Sequence, residues 1–192
     1  MACQKQDANQ DSAKLYPLKI GNEWTYKVTV SDSTHWSGHL YTVDTVVIKC
    51  SSTNLIDDKI YYHLSTYHPT ISLLLTEDYL RWSNGNYYYH IGNHPDKEAV
   101  ILNNNAQLGD NWGWSTHSYY TSYQVEAIDT TVNVLGQSFN QVTLMNKSIM
   151  TLGGGTLYSN YYQQGIGLVL QVRKDYNRPS RCTIELINYA IQ

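Results

Sequence analysis

The chain has 192 residues and a mass of 22.0 kDa, enough for one domain that buries roughly two-thirds of its unfolded surface and too short for a second independent core. Its 13 basic and 16 acidic side chains give a net charge of -3 and a pI near 6.1, so no basic field exists to hold a nucleic acid, and polynucleotide binding is excluded. The 18 Tyr and 5 Trp beside a single Phe, with only 15% charged residues, form a palette suited to two-faced β-sheets.

At the amino terminus, the polar stretch Gln4 to Lys14 holds no apolar side chain larger than Ala. Such a run cannot offset its ordering entropy, so residues 1–14 are expected to form a flexible tether ahead of a single β domain over 15–192. Ala2, Cys3 and then a polar tether resemble the start of a mature bacterial lipoprotein. The resemblance implies a lipid on the Cys3 thiol and attachment to a membrane through it. Gln4-Lys5-Gln6-Asp7 is similar to the short signal that sends some Gram-negative lipoproteins to the outer face of the outer membrane, which implies an outer-membrane, cell-surface address. Read from the residues alone, Cys3 in a plain polar tail is the alternative. The longest apolar run, Ala99 to Leu102, is far shorter than a membrane-spanning helix needs.

Alternation with a period of two begins at Ile20, with Trp24, Tyr26, Val28 and Val30 on one face and Thr25, Lys27 and Thr29 on the other. Leu40 to Cys50 and Ile60 to Tyr67 repeat it and suggest a meander. Ile71 to Leu75 and Tyr79 to Trp82 are expected to bracket an acidic turn at Glu77-Asp78. Ser83-Asn84-Gly85-Asn86 is a hairpin turn, because Asn-Gly accepts positive φ, and Tyr87 to Ile91 returns from it. Gly92 to Asp110 reads as a long connection with one short strand, Ala99 to Leu102. Strands resume at Tyr119 to Ile128, Thr130 to Leu135, Phe139 to Met145, Ser148 to Leu152, Leu157 to Gln163, Leu168 to Arg173 and Cys182 to Ile191. No window of 12 residues shows a helical stripe. The expected class is all-β with little helix: an antiparallel sheet of ten or so strands, which must curl, split or close into a barrel, a half-barrel or a sandwich.

Two segments carry a further resemblance. Tyr16-Pro17-Leu18-Lys19-Ile20-Gly21-Asn22-Glu23-Trp24-Thr25-Tyr26 resembles the opening of uncharacterised Gram-negative outer-membrane lipoproteins, and Tyr161-Tyr162-Gln163-Gln164-Gly165-Ile166-Gly167-Leu168-Val169 resembles their later aromatic-glycine hairpin. The resemblance implies a strongly curved antiparallel sheet, a half-barrel or open barrel like the half-barrel of lipoprotein carriers, often with a concave apolar face.

Cys50 and Cys182 both fall at the ends of strand-like runs. In an oxidising compartment they are candidates for a disulfide, provided their Cα atoms approach within roughly 4.4–6.8 Å; otherwise they are two separate small apolar fillers. The histidine pairs His35 with His39, His63 with His68 and His90 with His94 lack a helix and a third ligand, so neither a metal site nor a cofactor is expected, although register could bring His63 near His90. Asp57-Asp58 and Glu77-Asp78 sit in expected turns, where carboxylates are ordinarily solvated; a glycan hydrolase would need two of them converging across a cleft. No phosphate loop or nucleophile elbow appears.

The aromatic clusters are the distinctive feature. Consecutive tyrosines in a strand point to opposite faces, so Tyr87-Tyr88-Tyr89 places rings on both sides of the sheet. Trp82, Tyr87, Tyr89, Trp112, Trp114 and Tyr161 are the expected ligand-binding residues, on a surface suited to an apolar or glycan-like ligand. The expected role is non-enzymatic binding by a lipid-anchored outer-membrane protein, with an accessory docking on a surface protein complex as the alternative.

Overall fold

The computed structural model describes residues 14–32, 40–70, 73–91, 98–116, 118–177 and 180–192. Cys3, the Gln4 to Asp7 signal, His35, His39 and His94 lie outside them. Twelve strands follow in chain order: β1 (Glu23–Asp32), β2 (Leu40–Ile56), β3 (Lys59–His68), β4 (Leu73–Ser83), β5 (Asn86–His90), β6 (Glu98–Asn103), β7 (Asn111–Ser115), β8 (Tyr119–Val134), β9 (Gln137–Thr151), β10 (Gly154–Gln163), β11 (Gly167–Asp175) and β12 (Ser180–Ala190). The described residues contain no helix.

All twelve belong to one antiparallel sheet in the order β6-β5-β4-β3-β2-β1-β12-β11-β10-β9-β8-β7. The chain thus starts at the middle of the sheet, and its two arms wrap round until β6 and β7 meet. No ladder joins these edges; the Trp112 indole N–H spans them, donating to Val100 O at 3.2 Å. The sheet nearly closes into a barrel: the alternation predicts the all-β antiparallel class, and the resemblance its strong curvature.

Hairpin chemistry sets the lower end of this barrel. Asp57 and Asp58 (φ 48° and 61°), Asn84 and Gly85 (51° and 80°), and Leu135 and Gly136 (50° and 85°) each turn with both central residues in the left-handed region, the geometry that matches the twist of two-residue hairpins. Bulges supply the curvature. Asp129 and Gln141, at φ 53° and 55°, break the alternation within β8 and β9, where the pairing register slips three times.

These bulges explain where strand boundaries differ from the sequence expectation. Tyr119 to Leu135 reads as two strands because the alternation restarts at Thr130, yet β8 runs unbroken through it; β9 likewise joins two expected strands. Glu77-Asp78 is no turn. Both residues lie in the middle of β4, with Glu77 facing out and Asp78 facing in. β7, with Trp112 and Trp114, is a strand the composition of its neighbourhood concealed.

Of the two readings open for Cys50 and Cys182, a bridge or two separate fillers, the bridge is absent, because both are free thiols. Cys50 N–H donates to Asn22 O just before β1, whereas Cys182 pairs with Val30 near the other end of β1. Eight residues of strand separate those levels, about 26 Å at the usual rise. Each cysteine fills its own niche, and burial pushes both thiols above their ordinary pKa, Cys50 to about 11.

Candidate ligand cavity

An eight-stranded barrel is just wide enough for its own side chains to fill. Twelve strands enclose more space, and the segment ahead of β1 fills the lower part of it. Lys14, Leu15, Tyr16, Pro17 and Leu18 are all buried there. Lys14, assigned to the tether by composition, is only 4% exposed; its carbonyl accepts from Gly165 N–H at 2.7 Å, and its ammonium lies 5.5 Å from the Trp82 ring. Leu15 N–H donates to Asn104 Oδ1 (2.6 Å) and Tyr16 N–H to the Tyr87 hydroxyl (2.9 Å). The segment therefore spans the lower end from the β10–β11 turn to the β5 and β6 wall as a plug.

The two resemblance-bearing motifs form one joint with that plug. Trp24 Nε1–H donates to Ile166 O and the Tyr26 hydroxyl to Leu168 O, each across 142 residues of sequence. Tyr16 stacks on Trp24 with centroids 4.9 Å apart. Gly167, at φ 109°, leaves room for the Tyr16 ring: a Cβ there would stand 2.9 Å from Tyr16 Cδ2. Asn22, fully buried, donates to Pro17 O and accepts from Gln192 N–H.

Above the plug lies a cavity of about 620 Å³, within the range of small-molecule sites. Tyr16 is its floor. Leu64, Leu80, Ile101, Ile149 and Leu168 supply apolar wall, and Tyr87, Tyr89, Trp114, Tyr119, Tyr123 and Tyr162 supply rings.

Two charged side chains face this space from opposite walls, Asp78 on β4 and Lys147 on β9. Burial raises the Asp78 pKa, against the Tyr89 hydroxyl bonded to it and the charge of Lys147. Burial lowers the Lys147 pKa, opposed by Asp78. Lys147 is the cross-strand partner of Tyr123 and Tyr158, and its ammonium sits 5.9 and 5.4 Å from their ring centroids, an arrangement that offsets part of the desolvation of a cation. The Thr121 hydroxyl lines the same wall, fully buried and without a hydrogen-bond partner among the described residues. Asn160 and Gln171 complete the polar band through a 2.7 Å side-chain bond.

Of the six aromatics singled out from sequence, Tyr87, Tyr89 and Trp114 line the cavity. Trp82 packs at 4.6 Å on Tyr87 below it, and Trp112 stacks on Tyr123 while holding the β6–β7 seam. Tyr161 alternates with the lining residues Asn160 and Tyr162 and so stands on the other face of β10. As lining residues Tyr16, Thr121 and Lys147 carry no mark in the sequence reading, and Asp78 is read there as a solvated turn carboxylate. The alternation of Tyr119, Thr121 and Tyr123 was the one signal for Thr121.

The described histidines serve the walls. His63, on the outer face, accepts or donates at Nδ1 with Ser51 Oγ (3.2 Å), lies 3.1 Å from Glu77 Oε1 through Nε2, and stacks on Tyr79. His90 packs edge-on to Tyr61 of β3. His68 contacts Asp44 at 2.7 Å. Among the described residues no three metal-ligating side chains converge.

No family model matches the chain, and no curated protein matches its sequence. Solved structures do resemble it in fold. A protein from Bacteroides fragilis, provisionally described as exported and as having a YmcC-like fold, aligns with a TM-score of 0.55 at 13% identity, over 92% of this chain and 98% of its own. A provisionally described lipoprotein from Parabacteroides distasonis aligns with a TM-score of 0.53 at 10% identity, over the same shares. At such identities the likeness is one of fold: the near-barrel sheet described here is shared along nearly the whole length of both.

Proposed function

We propose that this protein is a non-enzymatic, lipid-anchored outer-membrane protein that binds a small apolar ligand inside its barrel. The cavity above the plug carries the proposal, since it is concave, walled by leucine, isoleucine and aromatic rings, and furnished with few polar groups, the pattern of a binding site rather than of a filled core. The Ala2-Cys3 start and the two structural relatives described as exported and as a lipoprotein support the address. Because the described chain enters at the plugged end, a lipid on Cys3 would hold that end toward the membrane and the cavity away from it. Expression behind a lipoprotein signal peptide with labelled palmitate tests the anchor: label is expected on the protein and lost in Cys3→Ser.

The cavity is tested by titrating the purified protein with N-phenyl-1-naphthylamine, a neutral fluorophore that brightens in apolar surroundings. A saturable one-to-one rise is expected. Ile149→Trp and Thr66→Trp, which fill the cavity from separate walls, should each weaken binding by about tenfold or more, the equivalent of losing one well-buried contact group. No saturation, or unchanged affinity in both folded variants, would overturn the reading.

A further inference from the structure

Lys147 is unusual among the polar groups of the cavity. Among the described residues no carboxylate lies within 4.0 Å of its ammonium and no hydrogen bond to it is made; its close neighbours are the faces of Tyr123 and Tyr158. Aromatic faces steady a cation but accept none of its three N–H groups well. The wall it belongs to also presents the Thr121 hydroxyl, buried and without a partner among the described residues. Both are donors with nothing to donate to, side by side on β8 and β9 and facing an apolar volume. A half-buried cation on an apolar wall and a fully buried hydroxyl are both costly in that state, and an acceptor brought in by a ligand would relieve both.

Asp78 sharpens the choice of acceptor. The Tyr89 hydroxyl favours its ionised form, so Asp78 draws support from within the chain where Lys147 has no acceptor. With Asp78 and Lys147 the cavity walls sum to zero charge; a bound monoanion takes the site to one negative charge, whereas a dianion would take it to two in a poorly solvated space. A carboxylate fits this site better than a phosphate monoester.

Building on the apolar-ligand reading above, we propose that the cavity selects a carboxylate-headed amphiphile, with its acid group on Lys147 and Thr121 and its apolar body against Leu64, Leu80 and the floor ring of Tyr16. The headgroup preference is a separate claim from the existence of the site, and one experiment distinguishes them. The protein is titrated with 11-(dansylamino)undecanoic acid and with its methyl ester, which carries the same body and fluorophore without the charge. The acid is expected to bind about tenfold or more tighter than the ester, the scale of a hydrogen bond to a charged group. Lys147→Met, close in volume, should abolish that difference by weakening the acid, and Thr121→Val should reduce it.

Equal binding of acid and ester to the unaltered protein would overturn the headgroup claim and leave the apolar cavity standing, as would a difference that survives Lys147→Met. Binding of neither probe would overturn both. Should Lys147→Met fail to fold, the comparison of acid with ester on the unaltered protein still decides the question.

Discussion

At the scale of single residues, the outer face of the sheet shows how far-apart charges pin the barrel wall. Glu98 opens β6 and accepts from Arg81 of β4 through two guanidinium nitrogens, from Lys59 at 2.5 Å and from the Tyr61 hydroxyl, both on β3. Arg81 first, then Lys59 and Tyr61, hold the Glu98 carboxyl at about 2 against the opposing effect of burial. Arg81 in turn lies 4.1 Å over the Tyr88 ring. The folded pKa lies below the ordinary value of 4.5, so the cluster contributes stability that is complete above pH 4.5 and is lost as pH falls through about 2. Glu98→Gln places an amide before donors that want an acceptor and is expected to cost about 1–3 kcal/mol at neutral pH. Urea unfolding at a series of pH values checks this: the gap between wild type and variant should narrow below pH 4.5 and close near 2. A gap independent of pH would show that the amide's packing, not the charge, is responsible.

At the scale of elements, the plug is the segment whose contribution exceeds its length. It makes no strand, yet Tyr16, Leu15 and Leu18 belong to the core, and it ties the β10–β11 turn, β5 and the end of β6 together through the bonds of Lys14, Tyr16 and Leu15, while Asn22 fixes its bend into β1 by donating to Pro17 O. Tyr16→Ala removes the stacked ring over Trp24 and the floor of the cavity; it is expected to lower stability by about 3–5 kcal/mol, the range for losing a buried aromatic. Thermal unfolding measures it. A change under about 1 kcal/mol would mean that Trp24 and Gly167 close the gap and that the plug is a passenger.

The elements also show what the sequence could and could not disclose. Alternation from Trp24 to Val30 and the Asn84-Gly85 turn were legible because they rest on local rules, side-chain period and left-handed φ. Positive φ at Asp129 and Gln141 has no such marker, and a single bulge there moves every later side chain to the other face. Tyr87, Tyr89 and Trp114 were found because large rings on strands are few and conspicuous. Lys147 and Asp78 were not, because a lone Lys in Asn146-Lys147-Ser148 and an acid beside Glu77 look like solvated surface until register turns them inward. The plug's fit to Gly165-Ile166-Gly167 joins residues about 150 positions apart, Lys14 with Gly165 and Tyr16 with Gly167, beyond the reach of any local pattern.

At the scale of the whole molecule, the seam between β6 and β7 distinguishes this fold from a closed barrel. Every other neighbouring pair is joined by a ladder, but β6 and β7 each have a side without one, and the Trp112 indole bond to Val100 bridges them. Exposed ladder edges are where sheets open, because fewer hydrogen bonds and contacts must break together. Ile101 and Leu102 on one side and Trp114 on the other line the cavity, so loosening the seam loosens one wall of the binding site. Hydrogen exchange read by mass spectrometry should therefore show amides of residues 100–102 and 112–114 exchanging before those of β1 and β12. Trp112→Phe keeps the stacking ring over Tyr123 but removes the indole donor, and is expected to speed exchange at the seam by roughly two- to tenfold, the worth of one ordinary hydrogen bond, while leaving β1 and β12 unchanged. Bound 11-(dansylamino)undecanoic acid should slow the same amides, since its occupancy stabilises the wall that β6 and β7 complete. Seam amides as protected as those at the centre of the sheet would mean instead that the two edges pair in solution and the barrel is closed.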